Sequence, residues 1–104
     1  MLVQNFQTND IVTLKLVTGE EVITKFIESN DHHYKINKPL VLSVTSQGVA
    51  MTPFLFTADL NSDINIPKNA VIAIARTEKS TTSQYIKGTT GIEPVGGANL
   101  GRLI

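Results

Sequence analysis

The stretch VTLKLVTGEEVITKFIESNDHHYKINKPLVLSV, residues 12–44, decides how this chain is read. Val12, Leu14 and Leu16 alternate with Thr13 and Lys15, and Val22, Thr24 and Phe26 alternate around Lys25. A period of two is the pattern of strands that bury one face. Thr18-Gly19-Glu20 breaks the pattern with a tight turn. A polar tip, Ser29-Asn30-Asp31-His32-His33, breaks it again before the chain returns through Tyr34 and Ile36, passes Asn37-Lys38-Pro39 and enters the apolar run 40–44. The stretch predicts an antiparallel meander of three strands.

Working outward, residues 1–10 leave room for one or two helical turns carrying Leu2, Val3 and Phe6, or for an extended arm that lays Leu2 and Phe6 on the sheet. On the other side, Thr45-Ser46-Gln47-Gly48 predicts a turn and residues 49–56 a strand, placed at an edge or bulge by Pro53. Residues 57–69 read as a polar loop pinned by Ile64 and Ile66. The run 70–75 is the most apolar in the chain, with Val71, Ala73 and Ala75 on one side and Ile72 and Ile74 on the other. Such a strand is covered on both faces, by its own barrel or by a neighbouring subunit. After Arg76, residues 77–82 predict a polar turn and residues 83–87 a short last strand. Five of the seven glycines lie from Gly88 onward. That composition predicts a mobile tail over 88–104, following a domain over 1–87. The tail ends in Leu100, Leu103 and Ile104.

The 104 residues suffice for one self-sufficient domain. No cysteine is present, which removes disulfides, thiolate metal sites and thiol catalysis. Neither a signal peptide nor a long apolar span is evident, so the expectation is a cytoplasmic protein with no membrane role. Nine basic residues balance nine acidic ones, which disfavours indiscriminate coating of a polyanion and leaves room for a local site.

Catalytic chemistry finds no motif here: no nucleophile elbow, no phosphate-cradling glycine loop and no carboxylate pair placed for acid and base roles. Asp59, Asn61 and Asp63 have the spacing that opens a calcium loop. The turn glycine and the closing glutamate, however, are replaced by Ile64 and Ala70, and Asx-turn chemistry accounts for these residues better. His32 and His33, adjacent on an extended chain, face opposite ways and do not converge on a metal. The expectation is a non-enzymatic protein without metal or cofactor.

The order of events over 12–44 resembles the first half of the Sm-like family, which includes Sm and Lsm proteins and bacterial Hfq. The shared features are a strand, a glycine turn at Gly19, a long bent strand, a polar tip, and Asn37 three residues before Leu40. Residues 70–75 with Arg76 look like the family's fourth strand, and residues 83–87 like its fifth. The resemblance spans roughly residues 10–87. It implies an all-β fold: a small, strongly bent, five-stranded antiparallel barrel. An elongated loop with an extra hairpin would lie between strands three and four, and the N-terminal helix would be short or absent.

It also implies a homo-oligomeric ring, from pentamer to heptamer, that binds single-stranded RNA without catalysis. In that picture Tyr34 or Lys35 stacks on a base and Asn37 bonds its edge, while Arg76 and Thr77 face the nucleotide from the opposite loop. A phage or bacterial source would fit such divergent loops. Besides the long insertion, the short or missing leading helix, and Lys35 at the base-stacking position beside Tyr34, the chain departs from the family pattern at His33, where an Asp is usual, and at Thr77, where a Gly is usual. With the neutral charge, these departures fit an alternative: a structural or protein-interaction module that keeps the ring and has lost RNA binding. On that alternative Asn37 is a turn residue, Tyr34 a strand aromatic and Arg76 a solvated strand end.

Overall fold

A computed structural model describes residues 5–59 and 61–90. The meander is present. Strands β1 (Ile11–Leu16), β2 (Glu21–Ser29) and β3 (His33–Thr45) pair antiparallel in succession, and β4 (Gly48–Pro53) hairpins back on β3. Gly19 and Gly48 stand at the two tight turns with φ of 106° and 123°, a region that a side chain enters only under strain.

The long segment after β4 holds β5 (Asp63–Pro67), which pairs with the first half of β3. A single 3-10 turn, Lys68–Ala70, then leads into β6 (Val71–Arg76), which returns to β1. The six strands make one antiparallel sheet in the order β4-β3-β2-β1-β6, with β5 attached to β3. The path ends on β4 at one side and β6 at the other, so the sheet is open and the five-stranded barrel is not formed.

Alternation places Val12, Leu14, Leu16, Val22, Phe26, Ile36 and Ile66 in one buried cluster, with Phe6, Tyr34, Ile64 and Ile74 packed around it. Fully burying one such aliphatic side chain contributes about 1.5–3 kcal/mol. Thr24, the buried polar residue in this row, is satisfied because its hydroxyl donates to the Asn37 carbonyl at 2.8 Å. Leu2 and Val3 lie outside the described residues; from Asn5 on, the N-terminal arm has no helix but a turn at Thr8–Asn9, closed by the Asp10 N–H on the Gln7 carbonyl at 3.0 Å, and Phe6 lies on Phe26, ring centroids 5.8 Å apart.

The last strand expected over residues 83–87 is corrected. Those residues lie inside helix α1 (Lys79–Thr90). Glu78 starts the helix. Its carboxylate accepts the Thr81 N–H at 2.6 Å and the Ser80 and Thr81 hydroxyls at 2.5 Å each. These bonds, Ser80's foremost, hold the Glu78 carboxyl down at about 2. Of the described α1 side chains, Tyr85 alone is buried. Its hydroxyl donates to the Lys38 carbonyl at 2.6 Å, and burial pushes the phenol above its ordinary ionisation range. The helix runs on past Lys87 to Thr90. The tail residues Leu100, Leu103 and Ile104 lie outside the described residues.

Candidate nucleic-acid interface

The residues singled out from the sequence fall in two groups. Tyr34, Lys35 and Asn37 sit on the first half of β3, and Arg76 and Thr77 at the end of β6. The register row Asp63, Asn37, Lys25, Ile11 crosses the sheet. Thr77 continues it through its N–H to the Ile11 carbonyl at 3.1 Å. Both groups are thus at the same end of the sheet but three strand spacings apart, about 14 Å along a flat sheet. One chain does not bring them into one pocket.

The β3 group is shaped by a break in the strand. Lys38 has φ of 52°, left-handed for a non-glycine residue, and the β2–β3 register shifts across it, between the pairs Lys25–Asn37 and Ile23–Leu40. Before the break β3 pairs with β5, and after it with β4. Tyr34 and Ile36 face the core, whereas Lys35 and Asn37, by alternation, face the other way. Tyr34 and Asn37 therefore do not present themselves to one base from one face.

Each of these side chains has an intramolecular partner. The Lys68 ammonium lies 5.2 Å from the centre of the Tyr34 ring, a cation–π contact on the surface a base would use. Lys35 pairs with Glu28 at 3.1 Å. Asn37 is 9% exposed. Its amide donates to Asp63 Oδ1 at 3.0 Å and to the Asn61 and Ser62 carbonyls at 3.4 Å, fastening the start of β5. The turn chemistry expected of this loop is present as well, since the Asn61 N–H bonds Asp59 Oδ1 at 2.9 Å. At the polar tip, Asn30 Oδ1 accepts the N–H groups of His32 and His33 at 2.8 Å each.

The second group is more open. The Arg76 guanidinium donates to the Asn5 carbonyl at 3.1 Å, meets Asp10 at 3.4 Å and lies 5.2 Å from the Phe6 ring centre. It remains 60% exposed. The Thr77 hydroxyl is shared with Thr13 at 2.8 Å. Around these two residues, Asn9, Asp10, Ile11, Lys79, Thr82 and Ser83 complete a cleft. These neighbours form no motif in the sequence, because a cleft between a strand end and an unforeseen helix leaves none.

No family model matches the chain, and no curated protein matches it at a significant level. Among the described residues no helix is long and apolar enough to cross a membrane.

Proposed function

We propose that the chain is a ring-forming, non-catalytic binder of single-stranded RNA in the manner of the Sm-like proteins, working in a cytoplasm. One observation carries this reading: a single strand path ends in two open, antiparallel-competent edges, β4 and β6. On β6, Val71 and Ile74 pack on the core while Ile72 is 65% exposed and Ala73 and Ala75 are exposed, so the chain's own fold covers this apolar strand only in part. An uncovered edge of this kind is a template for another chain.

Residues 83–87, read from the sequence as the last strand, are helical and cannot supply the pairing. The open β4 edge can. Head-to-tail pairing of β6 with the next copy's β4 repeats with one rotation and closes where that rotation permits. Because both candidate groups sit at one end of the sheet, cyclic symmetry would turn every copy's Tyr34 and Lys35, and every Arg76 and Thr77, to the same side. Several copies would then supply the stacking and cationic groups that one copy offers sparsely.

The interaction-module reading is favoured by a different observation: Tyr34, Lys35, Asn37 and Arg76 all have partners within the chain. It draws further support from exposed apolar groups near β4, since Val44 is 81% exposed and Phe56 77%.

The test is the mass of the purified protein by light scattering, followed by titration with labelled oligouridine and oligoadenine at rising salt. A five- to sevenfold mass with binding that weakens steeply with salt supports the RNA reading. The same mass without RNA binding supports the interaction module. A stable monomer overturns both.

A further inference from the structure

The cleft at the β6–α1 junction, about 470 Å³, contains polar groups that fall into two sets. Thr77 is engaged with Thr13, and the Thr82 hydroxyl donates to the Thr77 carbonyl at 3.2 Å. Asp10 accepts the Gln7 N–H at 2.9 Å and meets Arg76. The start of the helix is already occupied by the Glu78 carboxylate, so it does not draw in a ligand. What remains without an ion pair or side-chain hydrogen bond among the described residues is the Lys79 ammonium, the Ser83 hydroxyl and the Asn9 amide. To these is added the part of the Arg76 fork not turned to Asp10 and the Asn5 carbonyl. Lys79 and Ser83 are four residues apart on α1 and share one face.

The remaining set is rich in donors, and in the cleft two cations stand against one carboxylate. That combination suits an anion carrying several oxygens, and guanidinium with ammonium is the usual pairing for phosphate. The volume is that of a small-molecule site and not of a lone ion.

We propose that this cleft binds a 5′-phosphorylated nucleoside, with Arg76 and Lys79 on the phosphate and Ser83 and Asn9 on the sugar hydroxyls or base edge. The occupant comes either as one residue of an RNA strand, in which case the inference rests on the reading above, or as a free nucleotide.

The test follows the backbone amide resonances of Asn9, Lys79 and Ser83 in the full chain during titration with uridine monophosphate, uridine and hexauridylate. Three proteins are compared: wild type, the double variant Lys79→Glu with Ser83→Asp, and the charge-reversal control Lys15→Glu on β1. All three positions are exposed, and matching thermal melts establish that the variants are folded. The monophosphate shifts the cleft amides, uridine does so far more weakly, the double variant binds about tenfold or more weakly, and the control binds as wild type.

Equal binding of uridine and the monophosphate, or equal binding by the double variant, overturns the proposal. Hexauridylate binding that the double variant leaves intact also overturns the cleft, while keeping the RNA reading. Monophosphate binding without hexauridylate binding keeps the cleft and removes the RNA reading. Binding of neither overturns both.

Discussion

The phenol of Tyr85 donates a hydrogen bond to the backbone carbonyl of Lys38 at 2.6 Å, so the one buried side chain described on α1 fastens the break in β3. The break needs fastening, since a left-handed non-glycine residue costs about 1–3 kcal/mol and persists only where the surroundings hold it. The helix needs fastening too: twelve residues containing Thr81, Thr82, Gly88 and Thr89 are marginal alone.

Tyr85→Phe should cost about 0.5–1.5 kcal/mol in urea unfolding, because the ring stays and the bond to Lys38 goes. Tyr85→Ala should cost about 3–5 kcal/mol and release the helix, read as lost ellipticity at 222 nm. The pH dependence adds a second readout. The folded phenol ionises above its ordinary 10.0, so its contribution is complete below that pH and is lost as pH rises beyond it. The Phe variant should lack this alkaline loss, and an unchanged alkaline profile would remove Tyr85 as the anchor.

Asn37→Ala tests whether this asparagine is a fastener or a reader of bases. As a fastener it holds the start of β5, and its loss should cost about 1–3 kcal/mol and speed amide exchange at Ile64 and Ile66. As a base reader its loss should weaken oligouridine binding and leave stability and exchange unchanged. The geometry favours the first outcome.

Glu78 gives a prediction at acid pH. Its carboxyl is held at about 2 in the fold, against 4.5 for the free side chain. A depressed carboxylate stabilises above its unfolded pKa and loses that contribution as pH falls through the folded one. Helix content should therefore decline between about pH 4.5 and 2, as the Glu78 carboxylate loses its charge-assisted bonds. Glu78→Gln should start with less helix at neutral pH and show a flatter acid profile. An acid profile identical to wild type would show that other carboxylates carry the transition.

What the sequence revealed and what it hid divide along physical lines. The meander was legible because Val12, Leu14, Leu16, Val22 and Phe26 alternate without interruption and Gly19 marks the turn. Strand β5 left a signal, the spacing of Ile64 and Ile66, that was outweighed by the Asn and Asp residues around it. Helix α1 was hidden because threonine and glycine are poor helix formers and one buried tyrosine makes no periodic stripe. Its start is set by Glu78, an unusual cap, and its position by Tyr85 reaching a carbonyl 47 residues away. The candidate groups were legible as residue types only. That Asn37 turns to Asp63 and Tyr34 lies under Lys68 depends on β5 and the turn after it, which were read as loop.

The open edges yield the last prediction. Ile72 on β6 and Val49 on β4 are both exposed, at 65% and 60%, and a lysine at either place is the device by which natural sheets block pairing. Ile72→Lys or Val49→Lys should change monomer stability by no more than about 0.5 kcal/mol, since neither side chain is in the core. If β6 of one copy pairs with β4 of the next, either change alone should lower the mass measured by light scattering. A mixture of the two variants should recover a dimer and go no further, because Ile72→Lys leaves β4 intact and Val49→Lys leaves β6 intact, giving one good junction per pair. Undiminished mass in both variants would place the interface elsewhere on the chain, and a mixture that regains the full assembly would show that the two edges do not pair with each other.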